Sequence, residues 1–116
     1  MRHEESGIQE QFVAYIRRFK PDLLFTGGFA GERLSMPQAV RRKRMGYLAG
    51  SPDIVIFKAS GPYHALFIEF KSQTGRLSPE QTIFMQRSGQ EGYQYAVCHS
   101  PQEAVDTLDK YLKIAP

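Results

Sequence analysis

Apolar positions fall into two periodicities along this chain. Ile8, Phe12, Tyr15, Ile16 and Phe19 recur at helical spacing, which predicts a helix over about residues 3–19, closed by Lys20-Pro21. Leu23-Leu24-Phe25-Thr26 then reads as a short strand ended by Gly27-Gly28. Ser35-Met36-Pro37-Gln38 has the form of a capping box and starts a short basic helix that ends near Gly46. Gly50-Ser51-Pro52 turns the chain into a strand running from Asp53 to about Phe57, and Ala65–Lys71 returns after the turn at residues 59–62. So short a connection makes the two strands an antiparallel hairpin. Ser78-Pro79-Glu80-Gln81 opens a further helix with proline at its first position, ending near Ser88-Gly89. Tyr93–Cys98 is another strand, and Ser100 caps a last helix with Ala104, Val105, Leu108, Tyr111 and Leu112 on one face. The strand–helix–strand crossover over residues 65–98 calls for a parallel pair beside the hairpin, so the sheet is mixed and the class is α/β.

Three charged residues break the apolar pattern where it should be strongest. Asp53 heads one strand of the hairpin, and Glu69 and Lys71 lie in the apolar run Phe67-Ile68-Glu69-Phe70-Lys71 of the other. Residues two apart on a strand share a face, so Glu69 and Lys71 project together while Ile68 and Phe70 fill the core side. With Asp53 at the start of the neighbouring strand, the three charges converge at one end of the hairpin. Charges are placed inside a small core when they are paired or hold a metal. Asp53 and Glu69 offer the oxygen donors that Mg²⁺ or Mn²⁺ prefer. His3, His64 and Cys98 lack the partner spacing of a zinc site. Lys71 could orient a water or neutralise charge in a transition state. From the residues alone, a phosphodiester-hydrolysing centre and a structural salt-bridge cluster both remain open.

Other candidates carry two readings each. Glu5 lies near the centre of the apolar stripe of the first helix, with Gln9 flanking it on the same side, whereas Glu10 points almost opposite. Glu5 is therefore either an acid reaching the sheet edge or a favourable first-turn charge. Gln81 completes a capping box and also lies on the side of Phe84 and Met85, toward the strand of Glu69. Arg76, after Thr74-Gly75, either reaches a phosphate or belongs to a plain turn. Cys98 in an apolar strand reads as a small buried hydrophobe.

Composition narrows the class. At 116 residues and 41% hydrophobic content the chain suits one folded domain spanning residues 1–116. No apolar run approaches a membrane span, the N-terminus is charged rather than signal-like, and one cysteine excludes an internal disulfide. These features lead us to expect an intracellular, cytoplasmic protein. The net charge is +3, concentrated in Arg41-Arg42-Lys43-Arg44 with Arg33 upstream and no acid between Glu32 and Asp53. Such a block is the footprint of a phosphate-backbone binder, or else a solvated helix face.

Four segments together resemble the virus-type replication–repair nuclease (VRR-NUC) family of the PD-(D/E)xK superfamily. They are Glu5-Ser6-Gly7-Ile8-Gln9, Gly50-Ser51-Pro52-Asp53-Ile54, Ile68-Glu69-Phe70-Lys71 and Gly75-Arg76-Leu77-Ser78-Pro79-Glu80-Gln81. They occur in the family's order and span most of the chain. The resemblance implies a restriction-endonuclease-like core of αβββαβ type, with a mixed four-stranded sheet flanked by helices. It implies Asp53 and Glu69 as ligands of Mg²⁺ or Mn²⁺, with Glu5 (or its neighbour Glu4) as an additional metal-side acid. Lys71 would serve the water and the transition state, and Gln81 would be an active-site residue. Small stand-alone relatives imply a homodimeric endonuclease acting on branched DNA such as four-way junctions, associated with the nucleoid when at work. Arg33, Arg41, Arg42, Lys43, Arg44 and Arg76 would then contact the DNA backbone. The rival expectations are a flap or single-strand nuclease with the same residues, and a non-catalytic DNA-binding module.

Overall fold

The computed structural model describes residues 2–28 and 35–114, with side chains from residue 4 onward. In chain order the elements are α1 (Arg2–Phe19), β1 (Phe25–Gly27), α2 (Met36–Arg44), β2 (Ile54–Ile56), β3 (Leu66–Phe70), α3 (Pro79–Gln90), β4 (Gln94–Cys98) and α4 (Pro101–Leu112). Both expected capping boxes form: Ser35 with Gln38 starts α2, and Ser78 with Gln81 starts α3, each with proline in the first turn.

The four strands lie side by side in sequence order. β1–β2 and β2–β3 are antiparallel, while β3–β4 is parallel across the α3 crossover. This is the mixed sheet flanked by helices that the sequence pattern predicts. The first strand differs in its limits: it covers Phe25–Gly27 rather than residues 23–26. The Leu23 N–H turns back to the Lys20 carbonyl at 3.1 Å, so Leu23 belongs to the turn after α1, and Leu24 joins the sheet only through its carbonyl, which accepts the Phe57 N–H at 2.9 Å. The strand begins where Phe25 can pair with Ile56.

One face of the sheet is closed. Ile54, Ile56, Leu66, Ile68, Phe70 and Cys98 are fully buried, with Phe12 and Ile16 of α1 and Leu108 and Tyr111 of α4. The rings of Phe12 and Phe70 meet at 5.8 Å. The Tyr111 hydroxyl donates to the Lys58 carbonyl and the Ser60 hydroxyl to the Tyr111 carbonyl, tying α4 to the hairpin turn. The opposite face is covered by α3, where Phe67 stacks on Tyr93 (4.9 Å, 14° between planes) and meets Phe84. Cys98 is packed into the closed face and its thiol is pushed up to about 11, foremost by burial, which leaves it inert.

Candidate active site

The strand register brings the predicted charges together. Ile54 pairs with Ile68, so one step further Asp53 stands across from Glu69 at the end of the sheet. Asp53 falls just before the first paired residue of β2, and its Oδ2 accepts the Phe70 N–H at 2.7 Å. Its carbonyl accepts the Gly28 N–H at 2.8 Å and the Gln9 side-chain amide at 3.4 Å, which ties the acid to both β1 and α1. A Cβ at residue 28 would stand 2.4 Å from the Pro52 carbonyl oxygen, so this close approach requires glycine.

Glu69 is held from the other side. Its Oε2 accepts the Gln81 Nε2 at 2.8 Å, while Gln81 Oε1 accepts the Ser78 N–H at 2.8 Å. The two sequence readings of Gln81 are thus both present in one amide: it completes the helix cap with its oxygen and grips the acid with its nitrogen.

The two carboxyls are buried, Asp53 at 6% and Glu69 at 2% exposure, against each other. Glu69 is pushed up to about 9, first by burial and then by the charge of Asp53. Asp53 is also raised by burial, with the Phe70 N–H pulling the other way. Ionising both carboxyls at once is therefore disfavoured. Lys71, half-buried one pleat from Glu69, lowers both acids, and Glu5 raises both. Glu5, half-buried on α1, is thus near enough for its charge to act on both acids. Glu4 instead accepts the Gln73 N–H at 3.4 Å.

Glu69 Oε1 is buried and has no hydrogen-bond partner. An orphaned carboxylate oxygen, beside a second buried carboxylate, fits a hard cation well, since a cation would supply the missing partner and offset the repulsion between the two acids. Among the described residues no three His, Cys, Asp or Glu side chains gather into a metal-holding group. The donor set is thus a pair of carboxylates, which suits an ion that keeps water and substrate oxygens in its shell.

The remaining predicted residues lie around this centre with less contact. Arg76 is exposed in the β3–α3 connection, its Nη1 donating to the Gly75 carbonyl at 3.4 Å. Arg41, Lys43 and Arg44 are exposed on α2 and Arg42 is half-buried, on a helix that buries no residue. Arg33 lies outside the described residues. One residue escaped the sequence reading: Tyr95 of β4, whose side faces the same way as Glu69 because Phe67 pairs with Tyr95 and Glu69 with Val97. Its hydroxyl is buried without a partner, and burial, then the charges of Glu69 and Asp53, raise its pKa well above the ordinary phenol range and keep it protonated. A tyrosine within an apolar strand gives no signal of the face it takes until the pairing is known.

A mixed sheet that carries an Asp and a Glu on facing strands, with a Lys one pleat on, defines the restriction-endonuclease-like class. The model of the VRR-NUC domain matches residues 6–102, and the chain belongs to that family. A solved structure described as a VRR_NUC domain protein has the same fold at a TM-score of 0.81 and 26% identity, over 97% of this chain and 90% of that one. Among proteins of curated description, none matches. Membership implies a nuclease-type function and suggests DNA as its substrate. Among the described residues, no helix is long and apolar enough to cross a membrane.

Proposed function

We propose that this chain is a Mg²⁺- or Mn²⁺-dependent, structure-selective DNA endonuclease that hydrolyses phosphodiester bonds in branched DNA such as four-way junctions, acting as a homodimer. The observation that carries the reading is the partnerless Glu69 Oε1 on a buried carboxylate pair beside Lys71. Asp53 and Glu69 would hold the ion, and bound there it would polarise the scissile phosphate and activate water.

The protein's own groups do the rest. Gln81 fixes Glu69 through Oε2, which aims Oε1 away from the helix. The Phe70 N–H fixes Asp53 in the same manner. The Lys71 ammonium supplies positive charge where negative charge develops on the phosphate oxygens. Glu5 adds a further negative charge on the metal side. The basic block Arg41–Arg44, with Arg33 and Arg76, holds the backbone and reads no sequence, which suits selection by DNA shape.

The test is cleavage of a labelled panel of four-way junction, 5′ flap, 3′ flap, single strand and duplex, with and without Mg²⁺ or Mn²⁺. Metal-dependent, symmetric cutting of the junction, absent from Glu69→Ala, is the expected result. Preference for flaps or single strands would replace the substrate. Binding without cleavage under either ion would make the chain a non-catalytic DNA-binding module.

A further inference from the structure

The face of α3 turned away from Gln81 is unexpectedly apolar. A groove of about 620 Å³ runs between α3 and the turn after α2, with Leu48, Phe67, Ile83, Phe84 and Tyr93 in its walls. Ile83 is 54% exposed and Leu48 59%. Met36 and Val40, one helical turn apart on α2, and Met45 beyond it are exposed as well. The groove and the turn form one surface, because Gly50, at φ +85°, lies so close to α3 that a Cβ there would stand 2.4 Å from the Glu80 carbonyl. Exposed apolar patches of this extent, rimmed by charge, mark protein interfaces.

The charges on the patch say which partner. At 100° per residue, Glu80, Phe84 and Arg87 fall within about 60° of one another on α3, with Ile83 beside them. Glu80 and Arg87 are exposed and have no ion pair within the chain among the described residues. Pack this helix against its own copy, antiparallel, with a two-fold axis between Ile83 and Phe84. Glu80 of one copy then meets Arg87 of the other, twice, and the exposed Ile83 meets its own counterpart beside the axis, while Phe84 stays packed inward on Phe67 and Tyr95. An isologous contact needs a self-complementary surface of this kind.

We infer that the α3 groove, with Ile83 at its centre and Glu80 and Arg87 as its ion pairs, is where a second copy of this chain docks. The inference deepens the proposal of a homodimeric nuclease and rests on its dimeric part, not on its chemistry. Gln81 lies about 100° around α3 from Glu80. Both catalytic centres thus face away from the seam and stay open to DNA.

Sedimentation equilibrium without DNA, at micromolar concentration, tests it. The expected mass is twice the 13.2 kDa of one chain. Ile83→Asp should give monomers with an unchanged circular dichroism spectrum, since the side chain is exposed in the single chain. Glu80→Arg and Arg87→Glu should each weaken the dimer about tenfold by opposing like charges, and the double variant should restore it. Both residues also suit the helix dipole in their own turns. A dipole role alone would lower the helix's stability additively and leave the mass unmoved. A wild-type monomer, a dimer indifferent to Ile83→Asp, or no rescue in the double variant would each overturn the inference. Metal-dependent cleavage measured on the same preparations separates the two proposals. A cutting monomer defeats the interface alone, and an inert dimer held by these residues defeats the chemistry alone.

Discussion

The two faces of the sheet are built for opposite ends. The face toward α1 and α4 is filled by Ile54, Ile56, Ile68, Phe70 and Cys98, each fully buried, and leaves no room for chemistry. The face toward α3 carries Val55, Phe67, Glu69, Tyr95 and Val97, only Glu69 of them fully buried, under a single helix. Alternation along a strand makes this division automatic: each residue that fixes the fold has neighbours aimed at the other side. A small domain can thus place buried charges one residue away from its core and keep the core intact.

The comparison can be broken most sharply at Glu69. Glu69→Ala should remove cleavage altogether, and thermal denaturation should show the melting temperature held or raised, because the variant no longer confines a buried acid. A collapse in stability would mean the charged cluster holds the fold together. Next in size is Phe12→Ala on the closed face, which should cost about 3–5 kcal/mol in denaturant unfolding. Phe67→Ala on the open face should cost at most about 2 kcal/mol. Equal losses would erase the distinction between the faces. Gln81→Ala should lower cleavage about 10–100-fold, as loss of a group that orients a ligand does, and weaken Mn²⁺ binding in calorimetry.

The smallest effect is a dependence on pH. The carboxyl of Glu69 is raised from 4.5 to about 9, so between those values the folded chain holds a proton that the unfolded chain has released. That contribution to stability is complete below pH 4.5 and is lost as pH rises toward 9. The melting temperature of metal-free protein should fall across that window. Glu69→Gln should flatten the decline, and added Mg²⁺ should oppose it by binding the folded state.

Much of this was legible in the residues. Helical spacing and caps located all four helices, and the charged residues within apolar strands located the centre. The antiparallel hairpin followed from its short connection, and with it the meeting of Asp53 and Glu69. What stayed hidden depends on register and rotamer. Leu23-Leu24 looked like strand from its apolar pattern, yet Leu24 is exposed and reaches the sheet only through its carbonyl, which accepts the Phe57 N–H at 2.9 Å. Tyr95 and the double grip of Gln81 exist only once β4 is set beside β3 and α3 lies over the sheet. Glu4 and Glu5 stand about 100° apart on α1; the apolar phase favours Glu5 and the family resemblance admits either, and only the folded chain shows that Glu4 meets the Gln73 N–H.

The shared amide of Gln81 also binds local folding to catalytic readiness. The hydrogen bond that closes the first turn of α3 comes from the same group that steadies Glu69. Fraying of that turn releases the acid at the same moment. On the proposed function, no half-folded form then has a finished centre, because Glu69 is steadied only when that first turn is wound.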